Sequence, residues 1–78
     1  MEFFGYTEEL QQAKHPAPSK LPEVTISASP SELRAVAQFL IEAADSIEAQ
    51  GAGFEHEHFP RNTESDPDLV VFNAEASW

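Results

Sequence analysis

The sequence predicts an α+β domain in the order ββαββ, with one amphipathic helix packed on one face of a small, mainly antiparallel four-stranded sheet. Three observations carry this reading. Residues 23–28 alternate strictly between apolar and polar. The run Ser29-Pro30-Ser31-Glu32 then opens an apolar repeat of helical period that lasts to about Gln50. Beyond it lie an alternating segment, 54–59, and an unbroken apolar one, 68–73.

Taken in order, Glu2-Phe3-Phe4-Gly5-Tyr6-Thr7 is rich in aromatic residues and predicts a short first strand. Residues 8–22 hold Pro16, Pro18 and Pro22 and are expected to form a flexible loop, because proline fixes φ and has no N–H to donate. In residues 23–28, Val24, Ile26 and Ala28 share one face and Glu23, Thr25 and Ser27 the other, the period of a strand with one buried side. Ser29 and Glu32 make a capping box, in which each side chain accepts from the other residue's backbone N–H. Pro30 takes the first helical position, where its missing donor costs nothing.

Along the helix, Leu33, Val36, Ala37, Leu40, Ile41, Ala44 and Ile47 form the stripe expected to face the sheet. Phe39 falls beside that stripe and is expected to be half-exposed, a candidate contact for a partner. Gly51 follows the last turn, where a helix favours a residue with positive φ. Residues 54–59 alternate as a third strand stopped by Pro60, 60–67 form a turn-rich loop, and 68–73 predict a central strand covered on both faces. The tail, 74–78, is left unassigned.

With 78 residues the chain is read as one domain, 1–78, with a modest core and little room for a deep cleft. Cysteine is absent, so neither a disulfide nor a thiolate metal site can reinforce that core. No apolar run reaches the length of a membrane span and the N-terminus has no secretory pattern, so a cytoplasmic location is expected. Fourteen acidic residues against four basic ones give a net charge of −10. Most of it lies late, with −2 in residues 1–28 and −8 in residues 29–78. Such a field repels phosphate backbones and anionic lipid, so neither nucleic acid nor membrane is an expected partner. A basic protein is favoured, and acidity that serves only solubility is the plainer alternative.

The one local constellation is Glu55-His56-Glu57-His58. On a strand, His56 and His58 point the same way about 6.5–7 Å apart and offer two imidazoles to one ion. A zinc site needs three or four ligands, however, and the third would have to come from Asp66, Asp68 or a glutamate. No metal and no cofactor is therefore expected, and the histidines are read as packed or hydrogen-bonded on the face of Phe54. Glu55 and Glu57, with Glu64, Asp66 and Asp68 near them in sequence, are read as a solvated acidic edge rather than an acid–base pair. No G-x-S-x-G turn and no glycine-rich phosphate loop occurs, and an enzyme is not expected.

The alternating strand leading into Ser-Pro-Ser-Glu-Leu, the helix from Leu33 to Ala44, the His56-Glu57-His58 strand and the closing 68–73 strand together resemble a family. Over residues 23–73 the chain is similar to the immunity protein 32 family of short bacterial proteins predicted for toxin–immunity systems. That resemblance implies a small cytoplasmic protein that binds and blocks a cognate toxin, with His56 and His58 as residues typical of the group.

The expected function is thus a non-enzymatic acidic binding protein, an immunity protein neutralising a basic toxin. The candidate binding residues are Phe39, Glu42, Asp45, Glu55, His56, Glu57, His58, Asp66 and Asp68. Two rival readings use other features. One is a small metal- or pH-responsive protein built on the His-x-His strand. The other is a structural or regulatory homodimer that stacks an uncovered sheet face against its copy.

Overall fold

The computed structural model describes residues 1–76. The elements follow in the order β1 (Phe3–Gly5), α1 (Glu8–Gln11), β2 (Ser19–Leu21), α2 (Pro30–Gln50), a 3-10 turn (Gly51–Gly53), β3 (His56–His58) and β4 (Val70–Phe72). The class is α+β, with a long helix between two strand pairs. The four strands do not share one sheet: β1 pairs antiparallel with β2, and β3 antiparallel with β4, as two separate two-stranded sheets.

The second strand lies elsewhere than predicted. Residues 23–28 form no strand, and Val24 and Ile26 are 42% and 57% exposed. Their alternation satisfies the local requirement for a strand and lacks the neighbour that would make it one. Instead, part of the expected 8–22 loop is ordered structure. Thr7 caps α1, its Oγ1 accepting from the Leu10 N–H at 3.1 Å. Ser19-Lys20-Leu21 forms β2 in register with Phe3-Phe4-Gly5, and Lys20 pairs with Glu2 at 3.1 Å. Pro22 follows directly and prevents the pairing from running on into residues 23–28.

Helix α2 has the predicted bounds and the predicted start. The Ser29 N–H donates to Glu32 Oε1 at 2.9 Å, and the Glu32 N–H donates to Ser29 Oγ at 3.2 Å. The Ser29 backbone N–H first, and the Ser29 side chain after it, hold the Glu32 carboxyl below its usual pKa. At the other end Gly51 has φ 55° and ψ −132°, with its N–H bonded to the Ile47 carbonyl. A Cβ there would meet nothing within 4 Å, so glycine is required by backbone conformation alone.

The covered face of α2 is not the predicted one. Phe39 and Ala43 are the buried residues of this helix, joined by Phe54 to make the buried apolar core. Leu33, Leu40 and Ile41 stand 43%, 47% and 57% exposed, Ala37 and Ala44 are exposed too, and Val36 and Ile47 are half-covered. Ala35, Ala43 and Ser46 line a groove with Phe39 on one side of the helix, and Phe54, Phe59 and Pro60 line it from the other side. The Phe39 and Phe59 rings meet edge to face at 5.3 Å.

The β3–β4 hairpin aligns His56 with Phe72, Glu57 with Val71 and His58 with Val70. Two further bonds extend it, Phe59 N–H to the Leu69 carbonyl and Asn73 N–H to the Glu55 carbonyl, both 2.8 Å. Since β4 has β3 alone as a neighbour, it is not the central strand expected from its apolar run; Val70 is 43% exposed and Val71 and Phe72 are half-covered. Among the described residues no helix is long and apolar enough to cross a membrane. The predicted tail continues from Asn73 into a turn closed by the Ala76 N–H on the Asn73 carbonyl at 3.0 Å, and residues 77–78 lie outside the described residues.

The capping box gives a direct test. Ser29→Ala removes the acceptor for the Glu32 N–H and is expected to cost about 1 kcal/mol by urea denaturation near neutral pH. Because the folded Glu32 pKa is depressed, its contribution is present above the ordinary carboxylate pKa and lost as pH falls through the folded value. Ser29→Ala keeps the backbone N–H that is the larger cause of this shift, so the difference between variant and wild type should shrink on acidification only by the share that the Ser29 hydroxyl contributes. A difference that grows there would contradict this assignment.

Candidate functional site

Packing the hairpin against α2 leaves a groove of about 560 Å³ between the helix and β3. Its floor is apolar, made by Phe39, Ala43, Phe54 and Phe59, and Glu42, Glu57 and His58 stand at its margin. Four of the candidate residues, Phe39, Glu42, Glu57 and His58, are thereby brought to one place. Phe39 contributes differently from what its position on the helical wheel suggests. At 8% exposed it is a floor residue and a core residue, not a projecting anchor.

The other candidates lie outside this groove. Asp45 is exposed on α2. Glu55 precedes β3, and its Oε1 lies 3.2 Å from His56 Nδ1. The His56 and His58 rings meet edge to face at 5.2 Å, and both side chains are exposed while Phe54 is buried. His56 is thus hydrogen-bonded to Glu55, and His58 lines the groove together with Phe54. Among the described residues, no three of His, Asp and Glu gather as a set that could hold a metal ion.

Asp66 has a local task. One of its carboxylate oxygens accepts the N–H groups of Asn62 and Thr63 at 3.2 and 3.1 Å, which pins the loop between the hairpin strands. Asp68 pairs with Arg61 at 3.3 Å. Both partners are well exposed, so this pair is worth little in stability. It does neutralise one of two basic residues in the acidic half of the chain. Glu42 accepts from Gln38 Nε2 at 3.3 Å, one turn along the helix.

A residue that sequence reasoning gave no role holds the site together. Asn73 is 2% exposed, and its Nδ2 donates to the carbonyls of Gly51 and Phe54, each at 3.0 Å. Its Oδ1 accepts from the Glu75 N–H at 3.0 Å. One amide thus ties the end of β4 to the turn where the chain leaves α2, and so fixes the hairpin over the Phe39 side of the helix. The only sequence signal was an amide closing an otherwise apolar run.

Chemically, the groove offers an apolar floor, carboxylates and one imidazole, all open to solvent. That combination suits recognition of a cationic, partly apolar surface.

The family model described as Immunity protein 32 matches residues 23–74, which is 52 of the 78 residues. No curated protein and no solved structure matches the chain.

Proposed function

Because the chain belongs to the immunity protein 32 family, we propose that it is a non-enzymatic cytoplasmic protein that binds and blocks a basic toxin domain. The family membership carries the reading, and the charge supplies its physics. Ten acidic residues face two basic ones beyond position 28. Glu42, Asp45, Glu55, Glu57 and Asp68 are all exposed, so their field reaches into solvent instead of being spent inside the molecule. A surface of that sign speeds encounter with a basic toxin and repels anionic competitors.

Within this reading Glu42, Glu57 and His58 meet the toxin at the groove over Phe39. Asp45, Glu55, His56, Asp66 and Asp68 extend the acidic surface around it. Inhibition needs no chemistry, only occupation of the toxin's own basic surface.

The test is to look beside its gene for a reading frame with a basic toxin-like domain, co-express the two, and follow with titration calorimetry on the purified pair; an isolated gene counts against the reading. Rescue of growth is expected, with affinity falling as salt rises from 50 to 500 mM, roughly as paired exposed charges are screened. Glu42→Gln with Glu57→Gln should weaken binding about tenfold, mainly through slower association. Rescue with salt-independent affinity would overturn the electrostatic part. Failure to rescue or bind would overturn the whole.

A further inference from the structure

The hairpin covers one side of α2 and leaves a second apolar face bare. At about 100° per residue, Leu33, Ala37, Leu40, Ile41 and Ala44 form a stripe turned roughly 120° from Phe39 and Ala43. All five are exposed. The chain as a whole exposes 6674 Å², where a folded monomer of its mass exposes about 4,700 Å². Its radius of gyration is 13.7 Å, against about 11.5 Å for a domain of this length. The surplus of about 2,000 Å² is spread over the whole chain, the exposed residues 22–28 included, and leaves room for the roughly 800 Å² that each partner gives to a stable interface.

We propose that this stripe is the interface of a two-fold homodimer, in which α2 packs antiparallel on α2 of a second copy. The stripe is self-complementary, which a two-fold interface demands. About a midpoint between Leu40 and Ile41, Ala37 falls opposite Ala44 of the second copy, and Leu40 falls opposite its Ile41. The two alanine positions let the helix axes approach, while the central Leu and Ile fill the space between them.

The charges on the stripe's margin point to the same occupant. Arg34 lies on one margin and Glu48 at the C-terminal end of the stripe on the same side, and neither has an ion-pair partner among the described residues. In the antiparallel pairing, Arg34 comes within about 1.5 Å of axial rise of the second copy's Glu48, with Asp45 one turn along. Two such pairs form per dimer. A margin carrying both signs does not select a cationic partner, whereas the groove carboxylates Glu42 and Glu57 do. Glu42 points to the far side of the helix from the stripe, so dimerisation leaves the groove open. This inference does not depend on toxin binding.

Sedimentation equilibrium of the full chain at tens of micromolar tests it. The expected mass is twice that of the 8.6 kDa chain, at both low and high salt, because the contact is mainly apolar. Leu40→Glu is expected to give a monomer with unchanged circular dichroism, since that side chain is exposed in the isolated fold. Arg34→Glu alone should weaken the dimer about tenfold by setting like charges together, and adding Glu48→Arg should restore it. A wild-type monomer at high micromolar concentration sinks the proposal, and so does a dimer that survives Leu40→Glu. So would a wild-type monomer that loses toxin capture on Leu40→Glu, which would make the stripe the toxin's site.

Discussion

Phe39→Ala is expected to leave the protein largely unfolded at 25 °C. Truncating a buried phenylalanine costs about 3–5 kcal/mol through lost transfer energy and the cavity left behind. A chain of this length holds about 4–12 kcal/mol in all. Phe39, Ala43 and Phe54 are the buried apolar residues, so this domain belongs toward the lower end of that range. Removing the ring also deletes the edge-to-face contact with Phe59 and the floor of the groove. Far-ultraviolet circular dichroism across a urea series reads the result directly. Phe39→Leu, which keeps most of the volume, should lose much less. A Phe39→Ala midpoint close to wild type would mean that the core lies elsewhere, on the Leu33–Leu40 side of the helix.

That same contrast shows how far the sequence can be read. The start and end of α2 were legible because they are written locally, in a Ser/Glu capping pair and a glycine at positive φ. Its apolar period was legible as well. Which part of a wide apolar face meets the hairpin was not, because periodicity averages side-chain character and ignores shape. Ala35, Ala43 and Ser46 line the groove beside the buried Phe39, whereas the bulkier Leu33, Leu40 and Ile41 are exposed.

Strand pairing was the other failure. Residues 23–28 have the better alternation, yet Ser19-Lys20-Leu21 takes the partner. Pairing is a property of two distant segments, and Phe3-Phe4-Gly5 meets the chain before Pro22 rather than after it. Of the candidate site, the groove's residue types were legible and their grouping was not. Glu42 and Glu57 come together because Asn73 fixes the hairpin over α2, and a lone amide at position 73 gives no hint of three hydrogen bonds.

Asn73→Asp should be nearly as damaging, and its pH dependence identifies the cause. The amide nitrogen now donates to two carbonyls. A carboxylate would lose both bonds and place negative charge against two carbonyl oxygens in a site 2% exposed. Leaving buried acceptors unpaired costs about 1–3 kcal/mol each, and an unpaired buried charge adds to that. The new group escapes part of this cost by keeping its proton, so its folded pKa is raised above its unfolded value. The folded state then binds more protons than the unfolded state, and stability falls as pH rises through that window. Urea midpoints should accordingly show the variant closest to wild type near pH 4 and furthest from it near pH 7. Asn73→Ala serves as the control, since it deletes the same donors without adding charge and should track wild type at a constant offset. If both variants shift equally at every pH, the new carboxyl carries no buried charge; if Asn73→Ala matches wild type, the amide is holding nothing and the hairpin is kept on α2 by the aromatic rings alone.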